Sequence, residues 1–444
     1  MSFETIIKWC DIAIAIGYVV LLLFIWYYLA FFILSFKKSK SYPKSKNNYH
    51  YLVIIPARNE EKVIKNLFSS LKAQTYDKDF FDVYVITESK DDATNLIAKN
   101  YDYNYFIRKD LINKHTKGYA IKEFLDYFSK LKNKKRYDSY IIFDADNIMD
   151  SDYIEKLNDL KNAGYQVGFG YRNFTNSNKN WITSCSAVLL SLLNNVFSKG
   201  RFIMFKKVLI NGTGYFIDRN IIDDIGYWSF VGLTEDVEVS TYCTYHNIKM
   251  GYYEDATFYD EEPENFKVMH RQHIRWIWGF CENRKLYKKL LPDYGANSKN
   301  ISKISRYEFN MCIWPFVVYI VFCILAYLVE LIIFILSFFY EPIFSGWLFG
   351  HMQIPFFSVY FSFFITALIV TLNNNKKHLH FSWWQKIYTI FSFPFFFMDF
   401  VFAFFDGLNH SHKRKNWTPI EHVGHIISKQ AKEVEHEETR VEKD

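Results

Sequence analysis

The chain has 444 residues, a net charge of +6 and 20% aromatic side chains, a content that is high for a soluble protein. This mild basicity is too weak to indicate nucleic-acid binding, although it suits an anionic membrane surface or a nucleotide substrate. The six cysteines form no C-x-x-C pair and no metal-ligand spacing. They argue against a disulfide framework or a zinc module and favour free thiols in a reducing compartment or in lipid.

The first predicted element is a transmembrane helix. Ile12 to Phe36 is an apolar run of about 25 residues without a charged side chain, long enough to cross the hydrocarbon core. It has neither the short apolar core nor the small-residue cleavage site of a signal peptide. Five lysines follow between Lys37 and Lys46, so the positive-inside rule makes the next domain cytoplasmic. We assign residues 1–48 to an N-terminal transmembrane helix and a basic linker.

Residues 49–284 alternate between strand and helix patterns, which predicts an α/β domain with a parallel, doubly wound sheet. The predicted strands are Tyr51–Ile55, Asp82–Thr87, Tyr105–Ile107 and Tyr140–Phe143. Amphipathic helix patterns separate them. No G-x-G-x-x-G follows the first strand and no Walker motif is present, which disfavours a dinucleotide fold and a P-loop.

Two carboxylates follow the fourth predicted strand, in the sequence Asp144-Ala145-Asp146. Open α/β sheets bind ligands at the carboxyl ends of their strands. Like charges so close together are unfavourable without a cation, and a hard divalent ion that also holds phosphate oxygens would relieve the repulsion. The alternative is a solvated, Asp-rich turn, because the D-x-D pattern alone is common.

Four further motifs make the interpretation specific. Around D-A-D at 144–146, the chain contains I-I-P-A-R-N-E-E at 54–61, N-G-T-G at 211–214, T-E-D at 234–236 and Q-H-I-R-W at 272–276. In these motifs and their order, the chain resembles the family-2 glycosyltransferases. It is most similar to the membrane-bound branch that contains cellulose, chitin, hyaluronan and poly-N-acetylglucosamine synthases. The resemblance implies the nucleotide-sugar fold called GT-A, here inserted between transmembrane helices.

The resemblance also assigns the metal and the base. It makes Asp146 the ligand of a divalent cation, Mg²⁺ or Mn²⁺, with Asp144 as its neighbour nearer the ribose and the donor sugar. Asp236 of T-E-D matches the general base, and Glu235 is the second candidate catalytic residue of that motif. A base must be ionised to accept a proton, so a modestly raised pKa would suit Asp236. The segment from Thr234 also matches a helix N-terminal cap, which is compatible with this role.

Donor-binding candidates lie at the first two strand ends and at a helix start. The residues that match the family's uridine-binding loop are Ala57, Asn59 and Glu60. Glu88 stands where most members have aspartate, which adds a methylene, and Asp92 matches a later acidic position. Lys117 lies at a helix start beside a glycine and could reach the diphosphate, with a solvated surface lysine as the alternative.

The acceptor side is predicted from two motifs. Gln272, Arg275 and Trp276 occupy positions i, i+3 and i+4, which places them on one helical face. Arg275 can neutralise diphosphate charge, so it also counts as donor-binding, and Trp276 offers a flat apolar surface to an acceptor sugar. An interfacial Trp/Arg pair is the alternative. Thr213 and Gly214 are acceptor candidates because glycines there let backbone approach the sugars, with a tight turn as the alternative.

The C-terminal part is predicted to return to the membrane. Residues 285–313 are basic and polar with scattered leucines, which favours interfacial helices. Residues 314–408 form a transmembrane region with three long apolar runs: Trp314–Tyr340, Ile354–Leu372 and Lys386–Phe405. The tail, 409–444, is basic and then acidic, and we expect it to be cytoplasmic and partly disordered.

The predicted topology contains a conflict. Three crossings after a cytoplasmic domain would leave the tail outside, whereas its basic residues at 412–415 favour the cytoplasm. Either one run is re-entrant or interfacial, or the positive-inside rule fails. Glu330 and Asp399 lie inside apolar runs, where they either line a polymer channel or make hydrogen bonds between helices.

These observations predict an inverting, metal-dependent glycosyltransferase in a bacterial plasma membrane. The favoured version transfers sugar from UDP-glucose, ahead of UDP-N-acetylglucosamine, to a growing β-linked polysaccharide and secretes it. One alternative adds a single sugar to a lipid acceptor, and another is a catalytically silent membrane scaffold, which the intact motifs disfavour. The expected partners are the UDP-sugar, a glycan or lipid acceptor and membrane lipid, with no nucleic acid. The sequence has neither the gating loop of cellulose synthases nor a cyclic-di-GMP domain, which favours an unregulated enzyme.

Overall fold

The computed structural model describes residues 3–112, 116–131, 135–294, 314–340 and 345–409. Long apolar helices lie at both ends of the chain, and between them lies a body built on an eight-stranded sheet. The N-terminal helix α1 (Phe3–Ser35) begins before the apolar run predicted from Ile12.

The first half of the sheet is parallel. Its strands are β1 (Tyr51–Pro56), β2 (Phe81–Thr87), β3 (Asn104–Ile107) and β4 (Ser139–Ile142), in the order β3-β2-β1-β4. The connecting helices are α2 (Ile64–Lys72), α3 (Ala93–Asn100) and α4 (Lys117–Ser129), with a short 3₁₀ turn at Lys78–Phe80. Tyr51 to Ile55 of the central strand are fully buried, as expected for a strand covered on both faces. The four predicted strands and their parallel pairing are confirmed.

The second half of the sheet contains a reversed strand. It comprises β5 (Ile148–Met149), β6 (Val167–Phe174), β7 (Tyr215–Asp218) and β8 (Met250–Asp260), with helices α5 (Tyr153–Asn162), α8 (Arg219–Asp224) and α9 (Glu235–Tyr245). The order continues β4-β7-β6-β8-β5, and β7 runs antiparallel to both of its neighbours. Because β7 is reversed, the N-G-T-G loop that precedes it lies at the carboxyl end of β4, beside Asp144.

A long buried helix between β6 and β7 has no counterpart among the predicted elements. Helix α6 (Trp181–Leu193) continues through a π-helical segment, Asn194–Gly200, into α7 (Arg201–Phe205). Asn180 caps its start by accepting hydrogen bonds from two backbone N–H groups of the first turn. The helix is apolar enough to cross a membrane, yet most of it is buried within the protein. Its apolar character therefore reflects packing inside the body.

The C-terminal helices follow β8. They are α10 (Phe266–Tyr294), α11 (Trp314–Tyr340), α12 (Ser345–His351), α13 (Ile354–Asn374), a π-helical turn at Asn375–Leu379, and α14 (Trp383–Asn409). Within the described residues, the stretches long and apolar enough to cross a membrane are Trp181–Phe205, Val318–Tyr340, Gly346–Leu379 and Trp383–Asp406. Helix α1, bent by 48° between Phe3–Leu21 and Trp26–Ser35, would be a fifth. The predicted interfacial helices after Tyr294 and the tail from residue 410 lie outside the described residues.

One apolar cluster joins the body to the C-terminal helices. Leu189 of α6, Ile320 of α11, Phe363 of α13 and Phe396 of α14 belong to this cluster, which we call the junction core. Burial of these large side chains in one cluster ties the helices to the body through the hydrophobic effect.

Glu330 and Asp399 both bind histidines of neighbouring helices. Oε2 of Glu330 lies 3.3 Å from Nδ1 of His351, and the Asp399 carboxylate binds two histidines of α10. Both acids are 2% exposed. Of the two predicted alternatives, the structure shows hydrogen bonding between helices.

Candidate active site

A cavity of about 670 Å³ opens at the carboxyl ends of β1, β2 and β4 and extends between the apolar helices. Most of the predicted site residues line it: Ala57, Glu60, Glu88, Lys117, Asp144, Asp146, Glu235, Asp236, Gln272, Arg275 and Trp276. The sheet edge and helix α10 thus bring together residues that lie far apart in the sequence. The predicted residues outside its wall are Asn59, Asp92, Thr213 and Gly214.

Thr213 and Gly214 support the Asp144 loop from behind. The Thr213 hydroxyl accepts a hydrogen bond from the Asp144 N–H (2.8 Å) and donates one to Oδ1 of Asn147 (2.7 Å). Gly214 has a φ of +70°, and a Cβ at this position would lie 2.5 Å from the Phe258 ring. In the structure these two residues hold the D-A-D loop in place, and their contact with an acceptor stays a prediction.

Lys117, the first residue of α4, is part of the cavity wall. Its Nζ lies 2.7 Å from Oδ1 of Asp144 and 3.2 Å from Oε1 of Glu235, and it donates a hydrogen bond to the Gly212 carbonyl (3.0 Å). Burial opposes the charge of Lys117, but the two carboxylates outweigh burial and raise its pKa. Lys117 is therefore a partly buried, ion-paired cation next to the D-A-D loop, and not a solvated surface lysine.

Glu235 and Asp236 begin helix α9, with Thr234 at its N-cap position. The Gly212 N–H donates a hydrogen bond to Oδ2 of Asp236 (2.6 Å). Burial raises the pKa of Asp236, against the opposing effects of Lys117 and of this N–H. Burial also raises the pKa of Glu235 to about 7, since the neighbouring carboxylates offset Lys117. Asp236 thus combines a fixed carboxylate with the raised pKa that suits a base.

Asp146 lies beside Asp260, a residue that was not among the predicted candidates. Nδ2 of Asn147 lies 3.5 Å from Oδ1 of Asp146 and 3.4 Å from Oδ1 of Asp260. Burial and the Asp260 carboxylate raise the pKa of Asp146 well above its ordinary range. Two carboxylates so close favour a shared proton or a bound cation. Their oxygens therefore fit the ligand preference of a hard divalent cation such as Mg²⁺ or Mn²⁺.

Arg172 is a second residue that sequence reasoning missed. It lies on β6, where Nη2 pairs with Oδ2 of Asp260 and Nη1 donates to the Asn211 carbonyl (3.0 Å). These contacts fix Asp260 against the loop that carries Thr213. For Asp260, the sequence did offer a signal, the acidic run Asp260-Glu261-Glu262 that begins at the end of a strand.

Glu88 lies between two arginines at the end of β2. Nε of Arg58 lies 2.9 Å from its Oε2, and Nη1 of Arg108 lies 2.8 Å from its Oε1. All three side chains line the cavity. Asp92 lies behind this wall, where Oδ2 accepts a hydrogen bond from the Asn59 N–H (2.9 Å) and Oδ1 caps α3. Asp92 and Asn59 therefore shape the loop without lining the cavity.

Helix α10 supplies the opposite wall. Gln272, Arg275 and Trp276 all line the cavity from one face of this helix, as their spacing predicts. Burial lowers the pKa of Arg275, whereas Glu235 and Asp144 favour its charged form. An arginine stays protonated under these conditions, so α10 presents a guanidinium cation toward the carboxylates.

Beyond Trp276 the cavity wall becomes apolar. Phe32 of α1, Leu193 of α6, Phe363 of α13 and Phe397 of α14 belong to this part of the wall. The cavity thus connects a charged end at the sheet with an apolar end between the long helices. Such a shape suits a reaction whose donor is anionic and whose acceptor extends toward the membrane.

Comparison with known proteins agrees with this geometry. The probable glycosyltransferase YdaM of Bacillus subtilis is 26% identical over 351 residues, covering 77% of this chain and 79% of that protein. A poly-β-1,6-N-acetyl-D-glucosamine synthase of Staphylococcus aureus is 25% identical over 232 residues, which are 51% of this chain and 53% of the synthase. This second match therefore spans about half of the synthase.

A solved structure shares the fold. The mannosyltransferase PcManGT from Pyrobaculum calidifontis, in complex with GDP-Man and Mn²⁺, has a TM-score of 0.55 and covers 90% of this chain and 98% of its own. Its sequence identity is 12%, so the likeness shows the fold alone, which is GT-A.

The family follows from the matched region. A profile of the family described as glycosyltransferase like family 2 matches residues 48–279, just over half of the chain. This region contains all five motifs, and each of them contributes residues to the cavity wall. The chain therefore belongs to the family-2 glycosyltransferases and is a sugar-transferring enzyme.

Proposed function

We propose that the protein is an inverting glycosyltransferase that takes a sugar from a UDP-sugar in the cytoplasm and adds it to a growing β-linked polysaccharide. The observation that carries this proposal is the arrangement in one cavity of the Asp146 carboxylate, the Lys117 and Arg275 cations and the Asp236 carboxylate. The donor sugar we favour is glucose. The name of the staphylococcal relative adds N-acetylglucosamine as the competing choice.

The chemistry needs a base and a stabilised leaving group. Asp236 accepts the proton of the acceptor hydroxyl, whose oxygen then bonds to the anomeric carbon while the bond from that carbon to the diphosphate breaks. The nucleoside diphosphate leaves with the electron pair, and Lys117 and Arg275 stabilise its charge. A divalent cation held by Asp146, with Asp144 nearby, would supply further charge neutralisation on the diphosphate. One displacement at the anomeric carbon inverts its configuration.

The wall around Glu88 supports uracil as the base of the donor. Uracil presents a carbonyl acceptor, an N–H donor and a second carbonyl acceptor along one edge. Arg58, Glu88 and Arg108 offer the complementary order of donor, acceptor and donor. Guanine instead presents one acceptor followed by two donors, so one arginine would oppose a donor. The extra methylene of Glu88 is thus compatible with a UDP-sugar.

Glu88→Gln should weaken UDP binding about tenfold, or ~1.4 kcal/mol, because an amide group replaces one acceptor oxygen with a donor. Wild-type protein should bind UDP more tightly than GDP, as measured by calorimetry. Glu123→Gln is the matched control, since Glu123 also pairs with Arg108 (3.1 Å) but does not line the cavity. Equal affinity for UDP and GDP would exclude this mode of base recognition.

The position of α14 supports a resolution of the topology conflict. Near its start, Nε2 of Gln385 donates to the Asn178 carbonyl (3.3 Å), and near its end, Oδ2 of Asp406 lies 3.1 Å from Nε2 of His270. Helix α14 thus contacts the body near its start and α10 near its end, which supports a position along these elements instead of a separate crossing away from them. If α1, α11 and α13 cross, the catalytic domain and the tail share the cytoplasmic side.

A second acceptor class is favoured by a specific observation, the apolar end of the cavity. Sugar hydroxyls need hydrogen-bonding partners, whereas Phe32, Phe363 and Phe397 suit a hydrocarbon chain. The second candidate function is therefore the transfer of one sugar to a lipid-linked acceptor. The two functions share the donor site and differ in product.

Product analysis in sealed vesicles decides between them. Purified protein is reconstituted, and UDP-glucose or UDP-N-acetylglucosamine is added outside with Mg²⁺ or Mn²⁺. We expect a long, glycosidase-sensitive polymer in the lumen, and Trp276→Ala should lower its yield while slow hydrolysis of the donor persists. A lipid with one sugar on the donor side would establish the second function instead. If no nucleotide sugar is consumed, the proposed activity is wrong.

A further inference from the structure

We propose that Asp399 is a positioning residue, which fixes helix α10 against α14 and thereby sets the acceptor side of the cavity. The inference rests on the glycosyltransferase activity proposed above and adds a residue outside the five sequence motifs. Asp399 lies in the middle of α14, an otherwise strongly apolar helix. A carboxylate in such a segment costs free energy, which is why acids there usually have a function.

The Asp399 carboxylate binds two imidazoles of α10 at once. Oδ1 lies 2.7 Å from Nδ1 of His270, and Oδ2 lies 2.7 Å from Nδ1 of His273. The His273 and Asp399 side chains are each 1% exposed, so water does not compete for the contact between them. An ionised carboxylate only accepts hydrogen bonds, so both Nδ1 atoms donate. Nε2 of His270 also lies 3.1 Å from Oδ2 of Asp406, which is about two turns further along the same face of α14.

These histidines alternate with the residues that line the cavity. His270 and His273 are three residues apart and face α14, whereas Gln272, Arg275 and Trp276 face the cavity. The His273 ring centroid lies 5.4 Å from that of Trp276. A rotation or shift of α10 that breaks the histidine contacts would therefore also move the guanidinium and the indole.

Helix α14 has two functional faces. Phe397, Phe400, Val401 and Phe404 line the cavity from one face of α14, while Asp399 lies off that face and binds the two histidines of α10. The His273 ring also stacks on Phe400, with 4.0 Å between ring centroids. The Asp399 carboxylate thus fixes the relative position of two cavity walls. One wall is the α10 face with the Q-H-I-R-W residues, and the other is the apolar face of α14. This geometry assigns to Asp399 an influence on acceptor binding through Trp276, and a smaller influence on the leaving diphosphate, which Lys117 also stabilises, through Arg275.

The test compares Asp399→Asn with wild type in two reactions, transfer to acceptor and hydrolysis of the UDP-sugar to water. Asparagine keeps the shape but replaces one acceptor oxygen with an NH₂ group that faces an imidazole N–H. We expect transfer to fall about tenfold or more, because small misplacements of reacting groups are costly. Hydrolysis of the UDP-sugar needs Arg275 but no acceptor sugar on Trp276, so the hydrolysis rate should fall less than the transfer rate. His270→Gln removes the contacts of His270 with Asp399 and Asp406 but leaves the buried contact between His273 and Asp399, so it should show the same pattern more weakly.

Glu330→Gln is the matched control. Glu330 is equally buried in an apolar helix and also binds a histidine, but it does not line the cavity that holds the Q-H-I-R-W residues. It should leave the ratio of transfer to hydrolysis unchanged. Amide hydrogen exchange tests the position of α10 independently of enzymatic activity. The backbone amides of residues 270–280 should exchange faster in Asp399→Asn than in Glu330→Gln. Parallel loss of transfer and hydrolysis, or unchanged exchange in α10, would overturn the positioning role. Absence of both reactions in wild-type protein would instead reject the proposed function. The exchange measurement would then still test whether Asp399 positions α10.

Discussion

Asp236→Asn should lower kcat by about 10²-fold or more, while the affinity for the UDP-sugar changes little. Asparagine can still accept the hydrogen bond from the Gly212 N–H, so the start of α9 keeps its shape. Under the proposed mechanism, what is lost is the carboxylate oxygen that would accept the proton of the acceptor hydroxyl. Single-turnover rates and donor calorimetry separate the two effects.

The pH profile gives an independent test of the base. Only ionised Asp236 can accept a proton, and burial raises its pKa above that of an ordinary aspartate. Activity should therefore be present at higher pH and fall as pH drops through this raised pKa. Glu238→Gln is the control for this pH dependence, because Glu238 lies on the same helix with its pKa raised by burial to about 7 and does not line the cavity.

Loss of donor affinity with kcat intact in Asp236→Asn would contradict the first prediction and make Asp236 a binding residue.

Removal of the divalent cation should abolish turnover. EDTA is expected to stop the reaction, and Asp146→Asn should stop it even at saturating donor, because Lys117 and Arg275 alone then oppose the charge on the leaving diphosphate. The same variant should weaken Mn²⁺ binding, measured by electron paramagnetic resonance, by about 10-fold or more. The physical basis is the pair of close carboxylates, Asp146 and Asp260, which favours a bound cation.

Asp152→Asn is the control for the metal prediction. Asp152 follows the D-A-D loop by a few residues but is exposed and paired with Lys156 (2.8 Å), so its loss should leave Mn²⁺ binding and turnover unchanged. Full activity of wild-type protein in EDTA would remove the metal from the mechanism.

The parallel half of the sheet and much of the cavity wall were predictable from sequence. Short β-branched runs identified β1, β2, β3 and β4, and parallel strands place their carboxyl ends at one edge. Ala57, Glu88 and Asp144 therefore had to converge there. The i, i+3, i+4 spacing likewise predicted that Gln272, Arg275 and Trp276 share one helical face.

Other contacts depend on pairings that local patterns do not encode. Asp260 lies beside Asp146 because β5, which follows the D-A-D loop, pairs antiparallel with β8, with Ile148 opposite Tyr259; this pairing has no local signature. Thr213 lies behind the D-A-D loop because β7 is antiparallel to β4. The helix from Trp181 was missed because its apolar residues serve packing on several sides, which hides the periodicity of an amphipathic helix.

The junction core limits how this enzyme can be divided for study. A protein truncated after α10 would contain the whole matched family region, yet it would expose the side chains of α6 that now contact α11, α13 and α14, among them Leu189 and Val188. A contiguous apolar surface of this kind promotes aggregation in water. Soluble fragments for crystallisation or screening should therefore fail to stay monomeric, whereas detergent micelles or nanodiscs with the entire helical set should preserve the cavity.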